Sequence, residues 1–170
     1  AKTNGKGEYE YSNFGASLLG QLLATKTGMP YEKLATKRIF TSVGMPGTTV
    51  PVTADRIPDD ATGGYTDGGF PSDPWPLGAE APSGGAYSTV DDMLTYATAV
   101  LDGSVPGKDA TRARWNAGEN NRIGLAWHET EKHGRTIPWP RGATGGLRAV
   151  LALDRSADRA AAVQEGPAPS

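Results

Sequence analysis

The chain has 170 residues, no cysteine, and a net charge of −2 from 17 basic and 19 acidic side chains. That length suits one domain with a real core, and the missing thiols exclude disulfides and thiolate metal sites. The basic residues are scattered and leave no footprint for nucleic acid. His128 and His133, the two histidines, argue against a His-rich metal site.

The opening stretch, residues 1–7, is polar and lacks the pattern of a signal peptide. The first helix is expected over Asn13 to Thr27, with Phe14, Leu18, Leu19, Leu22 and Leu23 on one apolar face. Asn13 suits the N-cap and Gly28 the residue after the last turn. Pro30 then opens a second helix from Tyr31 to about Phe40, with Leu34, Ile39 and Phe40 as its apolar positions. Residues 46–87 are rich in Pro and Gly and read as loop, with short strands near Thr48–Val52 and Gly64–Thr66. Ser88-Thr89-Val90-Asp91 starts a helix that runs to about Leu101. Its buried stripe is expected to be Val90, Met93, Leu94, Ala97, Val100 and Leu101, and Gly103 to Gly107 ends it.

The last third changes period. Arg122 to His128 alternates like a strand, and Arg135 to Trp139 reads as another. Gly142-Ala143-Thr144-Gly145-Gly146 is a tight backbone segment. Leu147 to Asp154 and Arg159 to Gln164 pair through a turn at residues 155–158. Helices first and a strand meander last predict an α+β fold with an antiparallel sheet packed against helices. Residues 1–165 form one domain in this reading, and 166–170 a flexible tail. No apolar run approaches the ~20 residues that span a bilayer.

Several pieces carry chemistry when taken in order. Tyr11-Ser12-Asn13 puts a phenol and a carboxamide at the mouth of a helix, where one can relay a proton and the other can hold an amide. Thr27-Gly28 with Pro30-Tyr31, Ser83-Gly84-Gly85-Ala86-Tyr87-Ser88-Thr89 with Asp91-Asp92-Met93, Ile123 to Trp127, and Trp139 to Gly146 follow. In this order they resemble the serine β-lactamase and penicillin-binding protein superfamily, in its class C, DD-peptidase and esterase branch. The resemblance covers most of residues 7–155.

That resemblance implies a β-lactamase/transpeptidase-like fold, incomplete on its N-terminal side, and acyl transfer through a Ser-x-x-Lys serine with no cofactor. It implies Tyr11 as the proton-relay phenol and Asn13 as the side chain holding the substrate amide. Arg141, Gly142, Ala143 and Thr144 would line the opposite wall, with the Ala143 N–H as an oxyanion donor. The substrate would be a small molecule or peptide with an amide or ester, with β-lactam, D-Ala-D-Ala peptide and ester all open. The family acts outside the cytoplasm, so the resemblance favours an extracytoplasmic place.

Two departures stand beside the matches. No serine in the chain has lysine three residues later. The strand triplet reads Pro140-Arg141-Gly142, with proline where the family has Lys or His. The expectation is therefore part of a serine hydrolase that needs a complementary N-terminal segment or a second chain to supply the nucleophile. The alternative is a non-catalytic binding or interaction module of the same shape. Either reading predicts exposed apolar surface, so that the isolated chain self-associates, needs a partner segment or is marginally stable. Lys26-Thr27-Gly28 also spells the family's strand triplet, but its place at a helix end marks it as a stop signal.

Overall fold

The computed structural model describes residues 9–66 and 68–165. The polar opening and the predicted tail at 166–170 lie outside the described residues. Helix α1 spans Asn13–Thr27 and ends on Gly28 in the left-handed region (φ 64°), whose N–H bonds back to carbonyls of the last turn. Lys26-Thr27-Gly28 is thus a helix stop, as its composition predicts. The other end differs from expectation. The N-cap is Ser12, whose Oγ accepts from the Gly15 N–H at 2.9 Å, and Asn13 is already the first helical residue.

The predicted apolar face of α1 is also corrected. Ser17, Gly20 and Ala24 are the buried residues, while Phe14, Leu18, Leu19, Leu22 and Leu23 are exposed. The helix presents its small residues to the 3-10 helix Gly78–Ser83, because only small residues let the two backbones approach. A Cβ on Gly20 would overlap the Pro82 ring. Gln21 Nε2 donates to the Ala79 carbonyl at 2.8 Å and Ser17 Oγ to the Glu80 carbonyl at 3.3 Å, which fixes the docking.

Helix α2 (Tyr31–Ala35) continues through a π-turn at Thr36–Phe40 into the short α3 (Thr41–Val43) and stops at Gly44 (φ 85°). The predicted second helix is thus longer by one turn. In the loop region, Thr49 and Tyr87 exchange two backbone bonds, and β1 (Gly64–Tyr65) pairs with β2 (Pro71–Ser72).

Helix α4 (Val90–Asp102) is capped by the Thr89 hydroxyl, which accepts from the Asp92 N–H. Asp92 is buried and accepts from Thr48 Oγ1 at 2.7 Å, so it ties the loop to the helix. Ala97, Ala99 and Val100 pack with Val105, Trp127, Leu151 and Leu153 in the core. Val90 and Leu94, expected in the buried stripe, are exposed.

Strands β3 (Trp115–Asn116), β4 (Asn121–Ile123), β5 (His128–Lys132) and β6 (Arg135–Trp139) form one antiparallel sheet in that order. The single strand expected over 122–128 is two strands. Gly124 leaves the ladder because its N–H bonds to the Trp127 carbonyl, and Ala126 takes φ 64° in the turn between. A second sheet has the order β7 (Arg141–Thr144), β8 (Leu147–Asp154), β9 (Arg159–Glu165). The β8–β9 hairpin matches its prediction to within one residue. Its turn is held by Asp154, whose carboxylate accepts from Ser156 and Ala157 N–H groups and from Arg135. Among the described residues no helix is long and apolar enough to cross a membrane.

Candidate active site

Because Ser12 does the capping, Tyr11 and Asn13 are left for other work. The Tyr11 hydroxyl donates to Asn13 Oδ1 at 2.7 Å, and this pair stands at the exposed mouth of α1. The bond spends the Asn13 oxygen and leaves its amide N–H groups able to donate to a carbonyl. Tyr11 is 70% exposed, so its phenol oxygen can still accept. Two residues of a Tyr-x-Asn triplet are therefore oriented by each other and not by the helix.

Tyr9, two residues before Tyr11, begins an aromatic stack that sequence reading did not find. The Tyr9 hydroxyl is 3.5 Å from His128 Nε2, and the rings meet edge to face with centroids 5.8 Å apart. His128 in turn stacks on its cross-strand partner Trp139 at 4.8 Å. Arg141 places its guanidinium carbon 5.8 Å from the centre of the Trp139 ring. Trp139 Nε1 donates to Thr130 Oγ1, which donates to Asn121, and this fixes the indole plane. Burial, and then the nearby Arg141 cation, lower the pKa of His128, so the ring favours its neutral form. Burial, and then the neighbouring Tyr11, raise that of Tyr9. His128 is thus a packing residue between Tyr9 and Trp139.

Strand β7 supplies the second predicted group. Arg141, Gly142 and Ala143 are exposed and Thr144 half-buried. Leu151 N–H bonds to the Pro140 carbonyl, and Gly142 pairs with Ala149 and Thr144 with Leu147. Hydrogen-bonded pairs alternate in an antiparallel ladder. Pro140, Gly142 and Thr144 are therefore turned toward β8, and the N–H groups of Arg141 and Ala143 point to the open edge. A Cβ built on Gly142 would meet nothing within 4 Å, so the face of the sheet at that residue is open. Gly145 and Gly146 (φ 56° and 74°) make the two-residue turn into β8. Gly146 accepts from the Tyr65 N–H, which pins the turn to β1.

One connector touches both segments. Gly78–Ser83 carries α1 on one side, and Gly84 just beyond it lies against the Thr144 hydroxyl. Tyr9, two residues before Tyr11, reaches Trp139 through His128, and among the described residues no hydrogen bond joins Tyr11 or Asn13 to residues 141–144. Asn13 and Ala143 offer neutral N–H donors, Tyr11 a phenol and Arg141 a cation. Among the described residues no cluster of His, Asp or Glu could hold a metal ion. The groove of about 360 Å³ lined by Glu32, Lys33, Thr36, Lys37 and Arg56 lies at the π-turn and includes none of these groups.

The chain as a whole is similar to known proteins. The "Beta-lactamase-like protein" of Arthroderma benhamiae is 24% identical over 164 residues, covering 85% of this chain and 26% of that protein. A D-stereospecific amidohydrolase from Streptomyces sp. superposes with a TM-score of 0.76 at 23% identity, covering 95% of this chain and 51% of the other. A class C β-lactamase from Rhodobacter sphaeroides gives 0.79 at 21% identity, covering 99% and 58%. The chain thus spans about a quarter of the curated relative and about half of these solved structures. The fold is the β-lactamase/transpeptidase-like one, present in part. The Beta-lactamase family model matches residues 5–164, and the chain belongs to that family.

Proposed function

We propose that this chain contributes two walls of a serine acyl-transfer site whose nucleophile comes from a different segment or a second chain. The observation that carries the proposal is the Tyr11–Asn13 hydrogen bond at the mouth of α1, with Ser12 as the cap. Asn13 donates its amide N–H to the substrate carbonyl or amide. Tyr11 relays a proton: its oxygen accepts the nucleophile's proton as its own hydroxyl proton passes to the leaving group, so the phenol is neutral before and after. The Ala143 N–H on the open edge of β7 stabilises the oxyanion. Arg141, steadied over Trp139, lines the far end. The substrate class is an amide or ester of a small molecule or peptide.

The test uses a fluorescent penicillin as the acylating probe. This chain alone, with no Ser-x-x-Lys, is expected to take no covalent label. A longer chain that supplies this motif is expected to take label at its serine. No label on the longer chain would refute the proposal and favour a non-catalytic module, the reading that Pro140 at the family's cation position supports.

A further inference from the structure

The helical segment from α2 through the π-turn to α3 carries like charges on one face. Lys33 and Lys37 are four residues apart, so they are neighbours on the helix surface and repel each other. The segment runs on to Val43, so neither lysine sits at its C-terminus to serve the dipole. Arg56, at the end of the 3-10 turn Ala54–Arg56, adds a third cation to the same groove of about 360 Å³. None of the three has an ion-pair partner among the described residues, where the pairs are Arg122–Glu129 and Arg135–Asp154. Asp55, beside Arg56 in the chain, bonds first to the Thr53 hydroxyl and the local backbone and only then feels the Arg56 charge. The groove has a floor as well as a rim: Val50 is 4% exposed and Pro51 fully buried, and both line it. Thr41, four residues beyond Lys37, adds a hydroxyl that makes no hydrogen bond among the described residues. The π-turn lies at this groove, with the Thr41 N–H reaching back five residues to the Thr36 carbonyl. Such bulges recur at functional sites.

We infer that this groove binds a small organic dianion. The lining carries three cations, Lys33, Lys37 and Arg56, against one acid, Glu32, which leaves two positive charges in a chain of net charge −2. That balance matches a dianion. The repulsion between the two lysines has no compensating contact within the chain, and an anion seated between them removes it. The Arg56 guanidinium can give a carboxylate or phosphate two parallel hydrogen bonds. The Val50 and Pro51 floor takes a carbon skeleton, which a bare inorganic ion lacks. The volume is in the range of small-molecule sites. None of Tyr11, Asn13 and Arg141 lines the groove, so the inference stands apart from the acyl-transfer reading.

Isothermal titration calorimetry on the full chain at low ionic strength tests this, with malate and ribose 5-phosphate as probes and inorganic phosphate for comparison. At least one organic dianion is expected to bind saturably, one per chain, and about tenfold or more tighter than inorganic phosphate. The double variant K33Q/K37Q and, separately, R56Q are expected to weaken that binding by at least about tenfold. K108Q/K132Q removes the same charge from exposed positions outside the groove and should leave it within about twofold. Tighter binding of malate assigns a dicarboxylate, and tighter binding of ribose 5-phosphate a phosphate monoester; either supports the groove. No saturation with either probe by about 10 mM would overturn the inference. So would inorganic phosphate binding as tightly as both probes, or equal weakening by the control pair. K33Q/K37Q is also expected to melt no lower than the unmodified chain, because the two lysines repel. A lowered melting temperature with unchanged affinity would give the lysines a structural role alone and sink the proposed site.

Discussion

Replacing Ser12 and Asn13 separately distinguishes a cap from a site residue. Ser12 Oγ accepts the Gly15 N–H at 2.9 Å, one of the donors left unpaired at a helix start. Ser12→Ala removes that acceptor at an exposed position, where water competes, so the loss is about 1 kcal/mol. For a chain of this size that lowers the melting temperature by about 2–4 °C. Asn13→Ala removes an exposed side-chain bond and gains helix propensity, and these nearly cancel within about 0.5 kcal/mol. Thermal unfolding followed by far-UV circular dichroism measures both. Equal losses, or a larger loss for Asn13→Ala, would mean that Asn13 holds the helix and would refute the division of labour at this triplet.

Gly20→Ala should destabilise by about 1–2 kcal/mol in denaturant titration despite its better helix propensity, because the new methyl overlaps the rigid Pro82 ring. Gly146→Ala should lose at least about 2 kcal/mol in the same assay. Its Cβ would lie 2.5 Å from the Tyr65 carbonyl oxygen at a φ of 74°. Gly142→Ala, with open space around it, should stay within about 0.5 kcal/mol. Stability should fall as pH drops below 6.5, the ordinary value of His128. The unfolded chain binds that proton more readily than the fold does, so stability is full above the unfolded pKa and is lost toward the lower folded one. His128→Phe should flatten that part of the melting-temperature profile, and an unchanged profile would contradict the desolvation of the ring.

Much of this fold is written locally. The limits of α1 follow from its apolar run and Gly28, those of α4 from Thr89 and Gly103, and the β8–β9 hairpin from alternation around Arg155-Ser156-Ala157-Asp158. The triplet at α1 was legible for the same reason, since Tyr11 and Asn13 are two residues apart. What was misread depends on contacts that periodicity does not contain. Leucines at helical spacing announce an apolar face, but the choice of covered face was made by Gly20 and the Pro82 ring. Arg122 to His128 alternates, yet the Gly124-to-Trp127 hydrogen bond folds it into a hairpin. The stack of Tyr9 on His128 joins residues 119 positions apart, so no local pattern announces it.

The acylation rate of Tyr11→Phe bears most directly on the role of the triplet, measured with a fluorescent penicillin in a chain that supplies the Ser-x-x-Lys serine. Removing a proton-relay hydroxyl should slow acylation by about 10²–10⁴-fold with little change in melting temperature. An acylation rate within a few-fold of the unmodified protein would contradict a chemical role for Tyr11 and leave Tyr11-Ser12-Asn13 as a helix entry alone.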